Sequence, residues 1–127
     1  MVGLVLVSHS EDIARGLADL AGQMAGPSVQ IEAAGGAPDG TLGTDDGRVR
    51  DAIRRANSGD GVVVIGDLGS AILTVRHVLE RNGNGMARLA DAPFVEGAVA
   101  AAVVASVGAD IDGVIKAAEE ARGANKL

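Results

Sequence analysis

The chain has 127 residues, a net charge of -6, and 47% hydrophobic but only 1% aromatic residues. That length supports one domain, residues 1–127, with a sizeable core, and the dispersed arginines lack the clustered basic footprint that nucleic acid requires. Zero cysteines exclude disulfides and thiolate metal sites, and the longest apolar stretch, Phe94 to Val107, contains Glu96 and falls short of the roughly 20 residues of a membrane span. The core is therefore expected to be Val, Ile, Leu and Ala packed around Phe94. Met1 leads into an apolar run with no charged leader or cleavage site, so a cytoplasmic protein is expected.

Val2-Gly3-Leu4-Val5-Leu6-Val7 has no polar alternation, which suits a strand at the centre of a parallel sheet, covered on both faces. It runs into Ser8-His9-Ser10 and then a helix in which Ile13, Leu17, Leu20 and Met24 recur at helical spacing. Glu11 and Asp12 occupy its first turn, where the helix dipole favours carboxylates. Gly26-Pro27-Ser28 stops that helix, and the alternating Val29 to Ala33 predicts an edge strand.

A glycine-rich loop, Gly35 to Thr44, leads to Asp45 or Asp46 as the cap of a second helix, with Val49, Ile53 and Ala56 inward and Arg48, Arg54 and Arg55 outward. Val62-Val63-Val64-Ile65 is a second continuous apolar strand. It ends in Gly66-Asp67-Leu68-Gly69-Ser70. A third helix follows with Ala71, Ile72, Val75 and Leu79 on one face and His77 on the solvent side, and Asn82-Gly83-Asn84-Gly85 stops it. Met86 to Ala90 reads as a short edge strand. The Phe94–Val107 helix is apolar all round and is expected to be buried on all sides, either beneath the terminal helix or against a second subunit. Gly108 ends it, and Asp110 caps a last helix with Ile111, Val114, Ile115 and Ala118 inward.

This alternation predicts a three-layer α/β/α fold with a four-stranded parallel sheet. With the two continuous apolar strands in the middle, the strand order is 2-1-3-4. The winding then reverses between strands 1 and 3, whose carboxyl ends carry His9 and Asp67, so two residues nearly sixty apart are expected to meet at the switch point.

A carboxylate on one imidazole nitrogen fixes the tautomer, leaving the other nitrogen as a general base or a nucleophile. No nucleophile elbow, cysteine or metal-ligand cluster accompanies the pair. The loops instead offer amides and hydroxyls at helix starts, Ser10, Gly43 with Thr44, and Gly69 with Ser70, and Gly36 is a further candidate on the glycine-rich site loop. Helix amino termini of this kind bind anions such as phosphate, and a nucleophilic histidine among them is what a phosphohistidine carrier requires.

Four linked stretches together carry a family resemblance. Val5-Leu6-Val7-Ser8-His9-Ser10, Gly35-Gly36 with Asp39-Gly40-Thr41-Leu42-Gly43-Thr44, Asp67-Leu68-Gly69-Ser70-Ala71 and Ala92-Pro93-Phe94-Val95-Glu96-Gly97-Ala98 resemble the phosphotransferase subunit of the phosphoenolpyruvate-dependent dihydroxyacetone kinases, within the mannose-type enzyme IIA superfamily of the sugar phosphotransferase system. The resemblance implies that His9 accepts a phosphoryl group from the phosphocarrier HPr and passes it to ADP on the nucleotide-binding subunit of the kinase. It also implies Asp67 as the partner of His9 and a homodimer; no cofactor or metal is expected. Some longer relatives fuse HPr-like and enzyme I-like domains after this one, so a chain stopping at Leu127 is expected to use separate phosphocarriers. Asp45 departs from the pattern, in which a small hydroxylated residue often follows Gly-Thr, and outward capping is the milder role for it. Two alternatives stand beside this reading: the enzyme IIA of a mannose-type sugar permease, passing phosphate to an enzyme IIB, and a non-catalytic anion-binding regulatory module.

Overall fold

The computed structural model describes residues 1–82 and 85–127. Four parallel strands, β1 (Gly3–Ser8), β2 (Ile31–Gly35), β3 (Val62–Gly66) and β4 (Ala87–Leu89), form one sheet in the order β2-β1-β3-β4. The two continuous apolar runs are the central strands, as their lack of alternation requires. Their side chains divide by parity. Leu4, Leu6, Val63 and Ile65 face a layer of α1 (Glu11–Ala25), α4 (Phe94–Ser106) and α5 (Ile111–Glu120), while Val5, Val7, Val62 and Val64 face α2 (Asp46–Ala56) and α3 (Gly69–Asn82). All eight are fully buried. At roughly 25 cal/mol per Å² of apolar surface removed from water, these two strands anchor the fold.

The edge strands are less regular. β2 begins at Ile31 rather than Val29, and β4 is only three residues long. The predicted stop of α3 falls partly on residues 83 and 84, outside the described residues. Asp45 and Asp110 cap α2 and α5 through their carboxylates, accepting from Arg48 N and Gly113 N.

Four packing expectations need correction. Phe94 is only partly buried, at the start of α4, and the core centres on the β1 and β3 aliphatics. On α1 the residues in the core are Ala14, Leu17 and Ala21, whereas Ile13, Leu20 and Met24 are about half exposed. Alanine lets the helix approach the sheet closely, and the larger side chains flank that contact line. The third correction concerns α4: α5 covers one side of it, but Val95 and Val103 stay exposed on another. Lastly, Arg48 folds back so that its guanidinium donates to the Gly35 carbonyl at 3.2 Å.

Candidate functional site

The parallel register places Val7 opposite Gly66 and Ser8 opposite Gly35. The chain therefore leaves β1, β2 and β3 at the same level, and the first residues beyond β1 and β3 are His9 and Asp67. Asp67 Oδ1 lies 2.9 Å from His9 Nδ1. A carboxylate only accepts, so Nδ1 carries the proton and Nε2 presents its lone pair. The His9 side chain keeps 25% of its surface exposed and Asp67 only 14%.

Asp67 is held from several directions. Its Oδ2 accepts from the Ser8 hydroxyl at 2.8 Å and from the His9 amide at 3.1 Å, and Oδ1 also accepts from the Leu68 amide at 2.7 Å. Burial pushes its carboxyl up, but the bonds from the His9 amide, the Ser8 hydroxyl, the His9 ring and the Leu68 amide outweigh that and leave it below the ordinary 3.8. The group is thus a fixed anion at neutral pH, and its charge favours an imidazole that gains positive character.

On the other side of the ring, the Ser70 hydroxyl meets Nε2. With Nδ1 protonated, Ser70 is the donor and the ring the acceptor. Ser70 stands in the first turn of α3, where the Gly69 and Ser70 amides have no intrahelical acceptor and the helix dipole is positive. His9 Nε2 is therefore a lone pair at a helix amino terminus, an arrangement suited to a phosphoryl group.

The other predicted site residues surround this triad. Ser10 caps α1, its hydroxyl accepting from Ile13 N at 3.3 Å. The Gly36 amide donates to the Ser8 carbonyl at 3.2 Å and the Gly43 amide to the His9 carbonyl at 2.8 Å, so both amides brace the backbone of the histidine. Gly36 has φ +74°, a conformation that favours glycine. Thr44 Oγ1 lies 2.7 Å from Thr74 Oγ1, which donates to the Ser70 carbonyl at 3.2 Å, linking the glycine-rich loop to the start of α3. Among the described residues no group of three or more His, Cys, Asp or Glu side chains is placed to hold a metal ion, and no helix is long and apolar enough to cross a membrane.

Sequence reasoning assigned no role to Ser8 or Thr74. Ser8 is the only fully buried polar residue among those described, and its hydroxyl both donates to Asp67 and accepts from the Ser10 amide at 3.1 Å. A lone polar residue closing an apolar strand was the available signal. Thr74 carried no such signal, because its partner is 30 residues away.

The fold and the site define a class: an α/β protein whose topological switch point carries a carboxylate-oriented histidine beside a helix amino terminus. The chain belongs to the mannose-type enzyme IIA family, described as the PTS system fructose IIA component, whose model matches residues 3–115. It is 44% identical over 121 residues to the phosphoryl donor subunit DhaM of the PEP-dependent dihydroxyacetone kinase of Escherichia coli strain K12, covering 91% of this chain. It spans only 26% of that relative's length. The corresponding subunit of kinase 2 of Listeria innocua is 35% identical over 119 residues, with 91% of this chain and 95% of that protein covered. Among solved structures, the crystal structure of the protein of unknown function EF1359 superposes with a TM-score of 0.84 at 34% identity, covering 94% of this chain and 95% of that one.

Proposed function

We propose that this chain is a phosphohistidine carrier that takes a phosphoryl group from HPr onto His9 Nε2 and delivers it to ADP on the nucleotide-binding subunit of a dihydroxyacetone kinase. The observation that carries the reading is the 2.9 Å contact of Asp67 with Nδ1, which leaves Nε2 as the nucleophilic nitrogen. In the first transfer the donor's N–P bond breaks as the Nε2–P bond forms, and the donor imidazole leaves as the neutral ring. The His9 ring keeps its Nδ1 proton and becomes cationic, balanced by Asp67. The Ser70 hydroxyl then turns from the occupied lone pair to a phosphoryl oxygen. The Gly69 and Ser70 amides at the start of α3 supply further positive potential. Transfer to ADP runs the same bond changes in reverse. The protein's work is positioning and charge stabilisation, as phosphoryl transfer generally requires.

The kinase acceptor is favoured over a sugar-permease enzyme IIB by the names of the relatives. The chain is further read as a cytoplasmic homodimer. The exposed Ile13, Leu20 and Met24 edge of α1 and the exposed Val95 and Val103 of α4 support a subunit contact there.

The test is incubation with labelled phosphoenolpyruvate, enzyme I and HPr. Acid-labile, base-stable label on the wild type and none on His9→Ala is expected, with discharge on adding ADP and the nucleotide-binding kinase subunit. Discharge only by an enzyme IIB would move the chain to a permease, and absence of label from the wild type would make it an anion-binding module.

A further inference from the structure

The hydrogen bonds around His9 close into a circuit, and one bridge in it takes no part in the transfer described above. The His9 carbonyl accepts from the Gly43 amide at 2.8 Å, and Thr44 follows directly in the chain. Thr44 Oγ1 lies 2.7 Å from Thr74 Oγ1, and Thr74 Oγ1 donates to the Ser70 carbonyl at 3.2 Å. The Ser70 hydroxyl meets His9 Nε2, which returns the circuit to the histidine. A threonine hydroxyl carries one proton, and Thr74 spends its own on the carbonyl four residues back in α3. Thr44 is therefore the donor between the two hydroxyls. With its proton committed to Thr74, Thr44 has none to offer a phosphoryl oxygen.

Both ends of the bridge are anchored independently of it. Asp45, beside Thr44, caps α2 by accepting from the Arg48 amide at 2.9 Å. Val75, beside Thr74, is fully buried in the core under α3. Between these anchors lies the first turn of α3, where Gly69 and Ser70 are exposed and their amides lack intrahelical acceptors. A helix end of this kind frays unless something restrains it. The half-buried Thr44–Thr74 contact supplies the restraint at Ser70 itself.

We propose, on the reading of His9 as a phosphohistidine, that Thr44 and Thr74 are positioning residues that hold the Ser70 hydroxyl at His9 Nε2. Neither touches the reacting atoms. Their bridge fixes the Ser70 backbone through its carbonyl, so the hydroxyl passes from the Nε2 lone pair to a phosphoryl oxygen by side-chain rotation alone. A donor already in place costs no reorganisation when charge develops, which is the condition for electrostatic stabilisation of the transfer. Loss of the bridge therefore slows the chemical step and leaves the affinity for the donor protein as it was.

The experiment uses the full chain with two phosphoryl donors, phosphorylated HPr and phosphoramidate, a small molecule that phosphorylates an accessible imidazole without docking. Thr74→Val keeps the branched shape and removes the hydroxyl. It is expected to lower kcat with phosphorylated HPr about tenfold at unchanged KM, and to slow labelling by phosphoramidate by the same factor. Thr74→Ser keeps the hydroxyl and is expected to return close to the wild-type rate. Thr44→Val cuts the same bond from the loop side, so it is expected to give the same loss, and the double variant no more. In a Ser70→Ala background Thr74→Val is expected to cost nothing further, which a threonine needed only for folding would not show. Wild-type kcat in Thr74→Val overturns the positioning role. So do a rise in KM alone, Thr74→Ser as slow as Thr74→Val, and an undiminished loss in the Ser70→Ala background. Should Thr74→Val fail to fold, Thr44→Val decides by the same outcomes. Failure of both donors on the wild type overturns the phosphohistidine reading itself.

Discussion

At the scale of single residues, Asp67 does two things in the proposed relay: it fixes the His9 tautomer and supplies a permanent negative charge. Asp67→Asn keeps the shape but turns either an amide nitrogen or a neutral oxygen toward Nδ1, so the rate of phosphoryl transfer from HPr is expected to fall about 10²-fold or more, as when an oriented histidine is left in the wrong tautomer. Stopped mixing with quench measures this directly. Because the carboxyl is held below its ordinary 3.8 in the folded chain, its stabilising contribution is fully present above the unfolded value and is lost as pH falls through the lower, folded one. The stability difference between wild type and Asp67→Asn, from urea unfolding, is therefore expected to be constant from neutral pH to about 5 and to shrink toward zero in stronger acid. Ser8 is the second test. Ser8→Ala removes a donor to Asp67 and leaves the Ser10 amide without its acceptor, which is expected to lower stability by about 1–3 kcal/mol in the same assay. His9 and Asp67 were legible in the sequence because each ends a continuous apolar strand. Ser8 stood out only as the polar residue closing an apolar strand, and its partners were not legible, since nothing in the order of residues says which way a strand-end hydroxyl turns.

At the scale of elements, the sheet was the most legible part and the helix faces the least. Two unbroken apolar runs and two alternating ones were enough to order the strands, because only central parallel strands bury both faces. Helical periodicity located α1 but not its inward face: the stripe of Ile13, Leu20 and Met24 lies beside the contact line, which Ala14, Leu17 and Ala21 occupy. Hydrophobicity weights side chains by transfer free energy, whereas close approach to a sheet selects small ones. Arg48 was misplaced for a related reason, since a long side chain can reach the Gly35 carbonyl from a helix face that pattern alone assigns to solvent. The tight joint beside the site is at Gly35, where an added Cβ would lie 2.5 Å from the Ser10 carbonyl oxygen and 2.8 Å from Glu11 Cα. Both are backbone atoms at the start of α1, so Gly35→Ala forces strand and helix apart. It is expected to cost about 1–3 kcal/mol of stability and to shift the His9 ring resonances in NMR spectra.

At the scale of the whole molecule, reversal of winding between β1 and β3 is what brings residues 9 and 67 together, and every loop of the site leaves the same end of the sheet. Side chains on α1 divide around the helix: Ala18 lies with Ile31 of β2 on one flank, so Ile13, Leu20 and Met24 are turned to the α4 side. With Val95 and Val103 they form the proposed subunit contact. Met24→Glu with Val103→Glu is therefore expected to convert a dimer to a monomer in sedimentation at micromolar concentration, and a wild type that sediments only as monomer would remove the dimer from this account. In the proposed relay the phosphoryl group is carried on Nε2 of His9 while Asp67 holds the Nδ1 proton. This placement is tested most directly by NMR of chain with ¹⁵N-labelled histidine after phosphorylation through HPr. The expected result is one-bond ³¹P–¹⁵N coupling at Nε2 of His9 with Nδ1 still protonated; coupling at Nδ1, or phosphate on a residue other than His9, would contradict it.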